Sequence, residues 1–494
     1  MHKSIKQTAL RAAVLAALCS AGLAQAATIV ITSRDPANVG FNDPTPVAPV
    51  GGNTGTTLGQ QRMIVYRYVA DIWEKALQSD VTITVNAGWE SLTCTSSSAV
   101  LGSASAWNLW HDFANAKPGT WYPQALANKL AGTNLSVGQA DDGTGYGNVD
   151  IKTQFNGNLG NAGCLDGLYF YLGLDGKAGQ NINFVETLLH ELGHGLGFSV
   201  LSVQTSSGLR INAAGTAYAS DGLPSVWEQY MYDSAQGKSW LNMNYLERKI
   251  SAVTPSALAW TGPQAWAGAA MLSSTPSIKV TTSAPGYNGY YAYGTAAFGP
   301  AVNTGLNLGT LATIAADTTG AGQGCNAFSA ADAAAVAGKV AIIDRGVCGF
   351  AVKAKNAQNA GAVGVIIANN AAGTPPGLGG TDSTVVIPTV SVSQADGVTL
   401  KAAITASAPY GGRGKVGVAT AALSADASKK AGADAAGRPL FYTPSTLAAG
   451  SSVSHWDVSA TPNLLMEPNI NSDLTTILVP PYDLTLPLLK DIGW

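Results

Sequence analysis

Residues 183–199, NFVETLLHELGHGLGFS, constrain this chain more than any other segment. His190 and His194 are four residues apart in an apolar run that predicts a helix, so both imidazoles lie on one helical face. Two imidazoles at this spacing can bind one zinc ion, which leaves Glu191 to act as a general base toward water. The pattern therefore predicts hydrolytic zinc chemistry, and the alternative is a pair of structural histidines on a buried helix.

The source of a third histidine ligand is limited, because the chain contains only five histidines. His2 lies in a segment that we expect to be removed, which leaves His111 and His455 as candidates. His111 is flanked by tryptophans in NLWHDFANAKPGTWYP, a setting more typical of a structural histidine. His455 is distant in sequence, but an intervening domain whose ends lie close together would bring it near the helix.

The N-terminus has the pattern of a secretory signal. Basic residues precede an apolar run over residues 12–23, and AQA at 24–26 is a small-x-small cleavage site. The run is too short to span a bilayer. We therefore expect a signal peptide over 1–26, cleavage near Ala26, no membrane span and a secreted protein, either extracellular or periplasmic.

Cysteine usage agrees with export. Without Cys19 of the signal segment, Cys94, Cys164, Cys325 and Cys348 remain, and an even number in an exported chain favours disulfides. Their order suggests the pairs Cys94–Cys164 and Cys325–Cys348, although the sequence leaves other pairings open. No close Cys-x-x-Cys spacing supports zinc binding by these thiols.

Composition excludes one class of partner. Charged residues make up 12% of the chain and its formal net charge is -3, with no clustered basic segment. A nucleic-acid partner is therefore not expected. A length of 494 residues allows two or three domains.

Periodicity suggests an α+β core with an insertion. Residues 57–78 repeat apolar side chains at helical spacing, and residues 80–87 alternate as in a half-buried strand. From 277 to 407 the chain instead alternates short Val/Ile strands with Ala-rich helices, which predicts an inserted domain between 27–276 and 408–494. The low-complexity stretch 419–437 is expected to be a mobile surface segment.

Three motifs together resemble one peptidase clan. HELGHGLGFS, the SHWD around His455 and LLMEP resemble the metzincin zinc peptidases, most closely the leishmanolysin-like branch, whose third histidine is displaced by an insertion. Val200 occupies the position where the more familiar metzincin pattern has a histidine, so the distant His455 is needed. The positions that match the pattern are His190, His194 and His455 as zinc ligands, Glu191 as base, Gly197 at the helix end and Met466 in a methionine turn.

The inserted segment resembles a second family. DRGVCGFAVKAKNAQNAGAVGVIIANN and VVIPTVSVSQADG are similar to protease-associated (PA) domains, which accompany several peptidase classes. The two resemblances imply a metzincin-like α+β zinc peptidase core with an inserted α/β PA domain. They also imply a secreted zinc endopeptidase that acts on proteins or peptides.

Three alternatives remain open in the sequence. A gluzincin would take its third ligand from a downstream glutamate, for which Glu228 in SVWEQYMYD is the candidate. A secreted binding protein with a residual zinc site would not need Glu191. Calcium binding by Asp141, Asp142 and Asp150 competes with a plain solvated loop, because the spacing fits no standard calcium motif.

Overall fold

The structure is a computed structural model that describes residues 25–137, 149–315, 322–371, 374–407, 418–471 and 473–494. Nearly all of the predicted signal peptide lies outside these ranges, as do Asp141 and Asp142 of the candidate calcium loop. Within the described ranges, no helix combines the length and apolar character needed to cross a membrane.

The chain forms two compact units. The first contains Met1–Leu272 and Gly432–Trp494, and the second contains Ser273–Ala431. The second unit therefore interrupts the first, and it ends at Ala431 rather than at residue 407, where the sequence had suggested its boundary.

The first unit is a mixture of helices and mostly short strands. With elements numbered in chain order, its helices are α1 (Leu58–Ala76), α2 (Gln124–Ala131), α3 (Phe184–Gly195), α4 (Tyr245–Ser251), α5 (Pro263–Gly268) and α9 (Thr485–Ile492). Its strands are β1 (Ile29–Ser33), β2 (Ile83–Glu90), β3 (Cys94–Thr95), β4 (Ser98–Ala99), β5 (Gly102–Ala106), β6 (Leu109–Trp110), β7 (Tyr122–Pro123), β8 (Ile151–Asn156), β9 (Phe170–Tyr171), β10 (Ile182–Asn183), β11 (Val203–Gln204), β12 (Leu209–Ile211), β13 (Tyr218–Ala219), β14 (Met231–Asp233), β15 (Lys238–Ser239) and β16 (Leu258–Trp260).

A four-stranded sheet with the order β1-β2-β8-β5 organises the first part of this unit. β1, β2 and β8 are parallel, whereas β5 runs antiparallel to β8 at the end of the sheet. Helices α1 and α3 pack on the sheet through aromatic side chains. The rings of Phe155 in β8 and Phe184 in α3 are 4.9 Å apart, and the Tyr66 hydroxyl in α1 lies 2.9 Å from that of Thr153. This packing holds the histidine-bearing helix against the sheet.

The second unit is built on an eight-stranded sheet with the order β18-β17-β24-β20-β21-β22-β23-β19. Both faces are covered: Val340 and Ile342 of β21 belong to one apolar cluster, and the alternate residues Ala341 and Ile343 belong to another. Its helices are α6 (Ala330–Val336), α7 (Phe350–Asn359) and α8 (Gln394–Ser407), and its strands are β17 (Ser274–Thr282), β18 (Gly289–Ala292), β19 (Gly294–Thr295), β20 (Asn307–Thr313), β21 (Val340–Asp344), β22 (Gly364–Ala368), β23 (Thr389–Val392) and β24 (Ala419–Lys430).

The expectation that residues 419–437 form a mobile surface segment is wrong. Residues Ala419–Lys430 are strand β24, which lies between β17 and β20 in the sheet. Ala419, Ala421 and Leu423 alternate toward a buried cluster. Alanine supplies too little hydrophobic contrast for this two-residue period to stand out in the sequence.

The predicted disulfides are confirmed. Cys94 and Cys164 are bonded with Cα atoms 5.0 Å apart, and Cys325 and Cys348 with Cα atoms 5.7 Å apart. Each bond closes a loop within one unit. The larger loop, between cysteines 70 positions apart, links the β3 hairpin to the segment after β8.

We predict that replacing both Cys94 and Cys164 by serine lowers the free energy of unfolding of the first unit by about 2–5 kcal/mol, because the unfolded chain regains the freedom of a long loop. Urea denaturation followed by tryptophan fluorescence measures the change. The matched control, serine at Cys325 and Cys348, should leave this fluorescence transition unchanged, because all 11 tryptophans lie in the first unit. An unchanged first transition in the Cys94/Cys164 variant would contradict the prediction.

Candidate metal centre

Helix α3 carries two of the candidate ligands, and the chain fixes where it begins. Asn183 is the N-cap, and its side-chain oxygen accepts a hydrogen bond from the Val185 N–H at 3.1 Å. This satisfies one of the free N–H groups of the first turn. Almost every residue of the helix is buried, including His190 and His194.

The end of α3 is shaped by Gly197, whose φ of +119° is readily available only to glycine. The turn allows the Phe198 N–H to donate to the Gly193 carbonyl at 3.0 Å. It also brings the Phe198 carbonyl within 2.7 Å of His194 Nδ1. The glycine therefore helps to orient a candidate ligand as well as to end the helix.

The three histidines are held in the same way. The Nδ1 atoms of His190, His194 and His455 lie 2.7, 2.7 and 2.9 Å from the backbone carbonyls of Leu465, Phe198 and Ser451, respectively. A carbonyl oxygen can only accept, so each Nδ1 carries the proton. Each Nε2 is then left with a free lone pair, which is the form of imidazole that binds metals.

The free Nε2 atoms converge. His194 Nε2 lies 3.1 Å from His190 Nε2 and 3.2 Å from His455 Nε2. Nitrogen ligands in a tetrahedral zinc site are separated by about 3.3 Å, given zinc–nitrogen bonds of about 2.0–2.1 Å. The three side chains form a buried group that can hold a metal ion, and their number and type fit zinc.

Burial keeps the imidazoles neutral. It lowers the pKa of His190 to about 4, and together with the nearby His190 it lowers the pKa of His455 to about 3. The pKa of His194 is also lowered by burial and by the two neighbouring histidines. Near neutral pH all three side chains are therefore in the form that a metal ion requires.

His455 reaches α3 because the segment around it belongs to the core of the first unit. The Trp456 N–H donates to the Met466 carbonyl at 2.8 Å, and the Trp456 ring stacks on Phe441 with centroids 5.1 Å apart. The Val200 N–H lies 3.2 Å from the Ser454 hydroxyl. These contacts join the histidine to the turn that follows α3.

Met466 lies under the helix between the two helical ligands. Its side chain is fully buried, and its Sδ is 2.7 Å from the position that a Cβ on Gly193 would occupy. A side chain at position 193 would therefore require Met466 to shift. The neighbouring Leu465 is fixed by the buried carboxylate of Asp483, which accepts its N–H at 2.7 Å.

Glu191 is buried beside the histidines and contacts strand β5. Burial raises the pKa of its carboxyl group to about 8, and a hydrogen bond from the Ala104 N–H acts in the opposite direction. The raised pKa means that Glu191, when ionised, is a stronger base toward a nearby water molecule than an exposed glutamate.

The candidate site opens into a cleft of about 990 Å³. Its wall includes residues of the β4–β5 segment, the loop before α3 and the segment after Met466, and all three histidines face it together with Glu191. The cleft lies entirely within the first unit. It gives a bound molecule direct access to the histidine cluster.

Strand β5 turns some of its backbone groups toward this cleft. Leu101 and Trp107, at the two ends of β5, are bonded through their backbones to the chain around β8. Along a strand, the N–H and C=O groups of successive residues point to opposite sides. The N–H and C=O groups of Gly102 and Ala104 therefore point away from β8. The bond from Ala104 to Glu191 agrees with this direction.

Other residues considered from the sequence lie elsewhere. His111 contacts Asp112 and the Ala213 carbonyl, which fits a structural role. Glu228 is fully buried in an ion pair with Arg210 at 2.7 Å, and it is not part of the histidine group. The gluzincin arrangement with Glu228 as ligand is therefore wrong.

Asp150 also has a structural environment. Its carboxylate accepts hydrogen bonds from the Thr84 N–H and from the side chains of Gln124 and Asn128. Burial raises its pKa to about 6.

Two features of the cleft were missed in the sequence. Strand β5, GSASA, has no apolar side chains to reveal it. Glu186, which lines the cleft, was overlooked although it lies four residues before His190 and therefore on the same helical face. The sequence therefore contained a signal for Glu186, its helical spacing from His190, but none for strand β5.

Comparison with known proteins identifies the inserted segment. Residues 308–400 match the family model described as PA domain. Leucine aminopeptidase 2 of Arthroderma otae is 43% identical over 79 residues, which cover 16% of this chain and 15% of that protein. Leucine aminopeptidase 2 of Trichophyton equinum is 42% identical over 79 residues, which cover 16% of this chain and 15% of that protein. This chain thus spans about 15% of the length of the curated relatives that it matches.

Solved structures give a weaker likeness. BSAP, a zinc aminopeptidase from Bacillus subtilis, is 25% identical with a TM-score of 0.20, over 32% of each chain. An aminopeptidase from Aneurinibacillus sp. strain AM-1 is 23% identical with the same TM-score, over 33% of this chain and 36% of that one. The second unit contains a PA domain, and the chain as a whole is of mixed α/β type.

We predict that His190→Ala, His194→Ala and His455→Ala each abolish stoichiometric zinc binding, because each removes one of the converging Nε2 atoms. His111→Ala is the matched control and should retain zinc. Glu228→Gln should retain zinc even if it lowers the melting temperature, since it breaks a buried ion pair outside the centre. Metal content after gel filtration measures both effects, and a His455→Ala protein that keeps its zinc would overturn this ligand set.

Proposed function

We propose that this protein is a zinc-dependent peptidase with His190, His194 and His455 as ligands and Glu191 as general base. The observation that carries the proposal is the convergence of three neutral imidazoles beside a buried carboxylate in an open cleft. A purely structural zinc site has no use for such a carboxylate. The resemblance of HELGHGLGFS, SHWD and LLMEP to the metzincin pattern favours the same roles for these residues.

Each part of the site has a task in peptide hydrolysis. A zinc ion held by His190, His194 and His455 would supply Lewis acidity toward a substrate carbonyl group and a water molecule near neutral pH. Glu191 accepts the proton of the attacking water and then delivers it to the leaving nitrogen. Leu465, Phe198 and Ser451 keep the ligands oriented, and Met466 fills the space beneath them.

Strand β5 supports endopeptidase activity. The backbone groups of Gly102 and the Ala104 carbonyl face the cleft at the end of the sheet, so an extended peptide can pair with them as an added strand, while the Ala104 N–H is bonded to Glu191. Main-chain pairing of this kind does not require the end of a substrate chain. The reaction proposed is therefore cleavage within proteins or peptides.

Aminopeptidase activity is the second candidate, and the names of the curated relatives favour it. A 79-residue match cannot contain both His194 and His455, which are 261 positions apart. The relatives therefore provide no information on the complete histidine group. The PA domain is compatible with both activities, because such domains occur with several peptidase classes.

The two disulfides support a location outside the cytoplasm, because such bonds persist in oxidising compartments. We propose secretion on this basis, in agreement with the signal-like N-terminal sequence.

We predict that Glu191→Gln preserves the fold and the zinc content but lowers kcat by about 10²–10⁴-fold, the usual contribution of general base catalysis. Zinc analysis, a thermal melt and cleavage of casein by the wild type and the variant provide the three measurements. Proteolysis at the wild-type rate by Glu191→Gln would rule out this mechanism. A variant that loses zinc would show that Glu191 serves the metal instead.

We also predict that the zinc-loaded protein cuts peptides acetylated at the N-terminus and releases internal fragments from casein, as seen by mass spectrometry. An aminopeptidase would leave acetylated peptides intact and would release free amino acids from unblocked ones. If acetylated peptides stay intact and free amino acids are released, the aminopeptidase alternative replaces the endopeptidase proposal. The proposed zinc ligands are not affected by that outcome.

A further inference from the structure

Glu186 is a second carboxylate in the cleft, and the hydrolytic chemistry does not use it. It lies in the first turn of α3, one helical turn before His190, and lines the same cavity. Asn183 donates a side-chain hydrogen bond to it, so its position is fixed from the N-cap side. Its side chain is half-buried.

The charges around Glu186 in the described part of the cleft are not balanced by a basic side chain that lines it. Among the described residues that line the cleft, none is lysine or arginine. The ion pairs found in the described part of the chain do not include Glu186. Burial raises its pKa to about 7, and the nearby Asp473, which is itself negative when ionised, also raises it. A cationic group of a bound molecule would offset both the desolvation of the Glu186 carboxylate and its repulsion by Asp473.

We propose that Glu186 is the subsite that binds a cationic group of the substrate, an ammonium or guanidinium ion. This inference rests on the proposed peptidase function and specifies its substrate class. An ion pair with hydrogen bonds between a carboxylate and such a group is both strong and selective. The three ligands already orient the reactive centre, so Glu186 determines specificity and is not a catalytic residue.

The geometry limits where that cation lies in the substrate. Four helical residues place Glu186 about 6 Å from His190 along α3. An extended peptide advances about 3.3 Å per residue, so the cation belongs within about two residues of the scissile bond. It is either a lysine or arginine side chain within a longer peptide or the free α-amino group of a short N-terminal segment.

A peptide series tests the inference with the full-length, zinc-loaded protein. Quenched fluorescent peptides, acetylated at the N-terminus, carry lysine or alanine at each of two positions on either side of the bond that is cut. A second set with free N-termini carries no lysine. The variants are Glu186→Gln, which keeps the size of the side chain, and Asp71→Asn, a matched charge change in α1 outside the cleft.

We expect lysine at one position, or a free N-terminus, to raise kcat/KM of the wild type by about 10- to 100-fold, mainly through a lower KM. Glu186→Gln should lose this preference, so that its kcat/KM for the lysine peptides equals its own kcat/KM for the neutral acetylated peptide. Asp71→Asn should behave as the wild type. A preference confined to acetylated lysine peptides identifies a side chain as the cation, and one confined to free N-termini identifies the α-amino group.

Two contrary outcomes have different meanings. If the wild type cuts neutral and lysine peptides equally well, or if Glu186→Gln keeps the preference, the inference about Glu186 is overturned and the peptidase function stands. If the zinc-loaded wild type cuts none of the peptides in either set, the proposed function itself is overturned together with the inference. A thermal melt of Glu186→Gln that matches the wild type excludes misfolding as the cause of a lost preference.

Discussion

Three backbone carbonyl oxygens fix the geometry on which the metal centre depends. They belong to Phe198 in the turn after α3, to Leu465 beside the buried methionine and to Ser451 before the third histidine. Each accepts an Nδ1 proton and so sets the tautomer and the direction of one imidazole. The ordering of the ligands is therefore built into the backbone of the first unit, and little conformational entropy remains to be lost when an ion binds.

The inserted unit leaves this centre intact because its first and last strands are neighbours. β17 and β24 pair antiparallel, and the Ala431 N–H donates to the Ser273 carbonyl at 3.0 Å. The chain consequently leaves the first unit and returns to it at adjacent points. The residues that follow join the same core, where Phe441 packs on Trp260 and Trp456. Large separation in sequence is thus compatible with ligand contact.

The sequence predicts features whose physical signal is local. The histidine spacing, the apolar period of α1 and the order of the cysteines all anticipated the structure. Strands β5 and β24 were not anticipated, because glycine, serine and alanine give no contrast between their faces. The approach of His455 to His194 depends on tertiary contacts that no local pattern encodes. The small number of histidines left His111 and His455 as candidates, and the family resemblance favoured His455. Helical spacing places Glu186 on the same face as His190, whereas the lack of a basic side chain among the described residues that line the cleft depends on tertiary packing.

The place of the insertion also governs the order in which the protein can assemble. A polypeptide is made from its N-terminus, so α3 with His190 and His194 is complete well before His455 and Met466 exist. The second unit has its own sheet and apolar clusters and is able to fold in this interval. The first unit cannot complete its core, and α3 stays partly exposed, until the residues after Ala431 have been synthesised. The candidate metal centre is therefore completed late in biosynthesis, after most of the chain has left the ribosome.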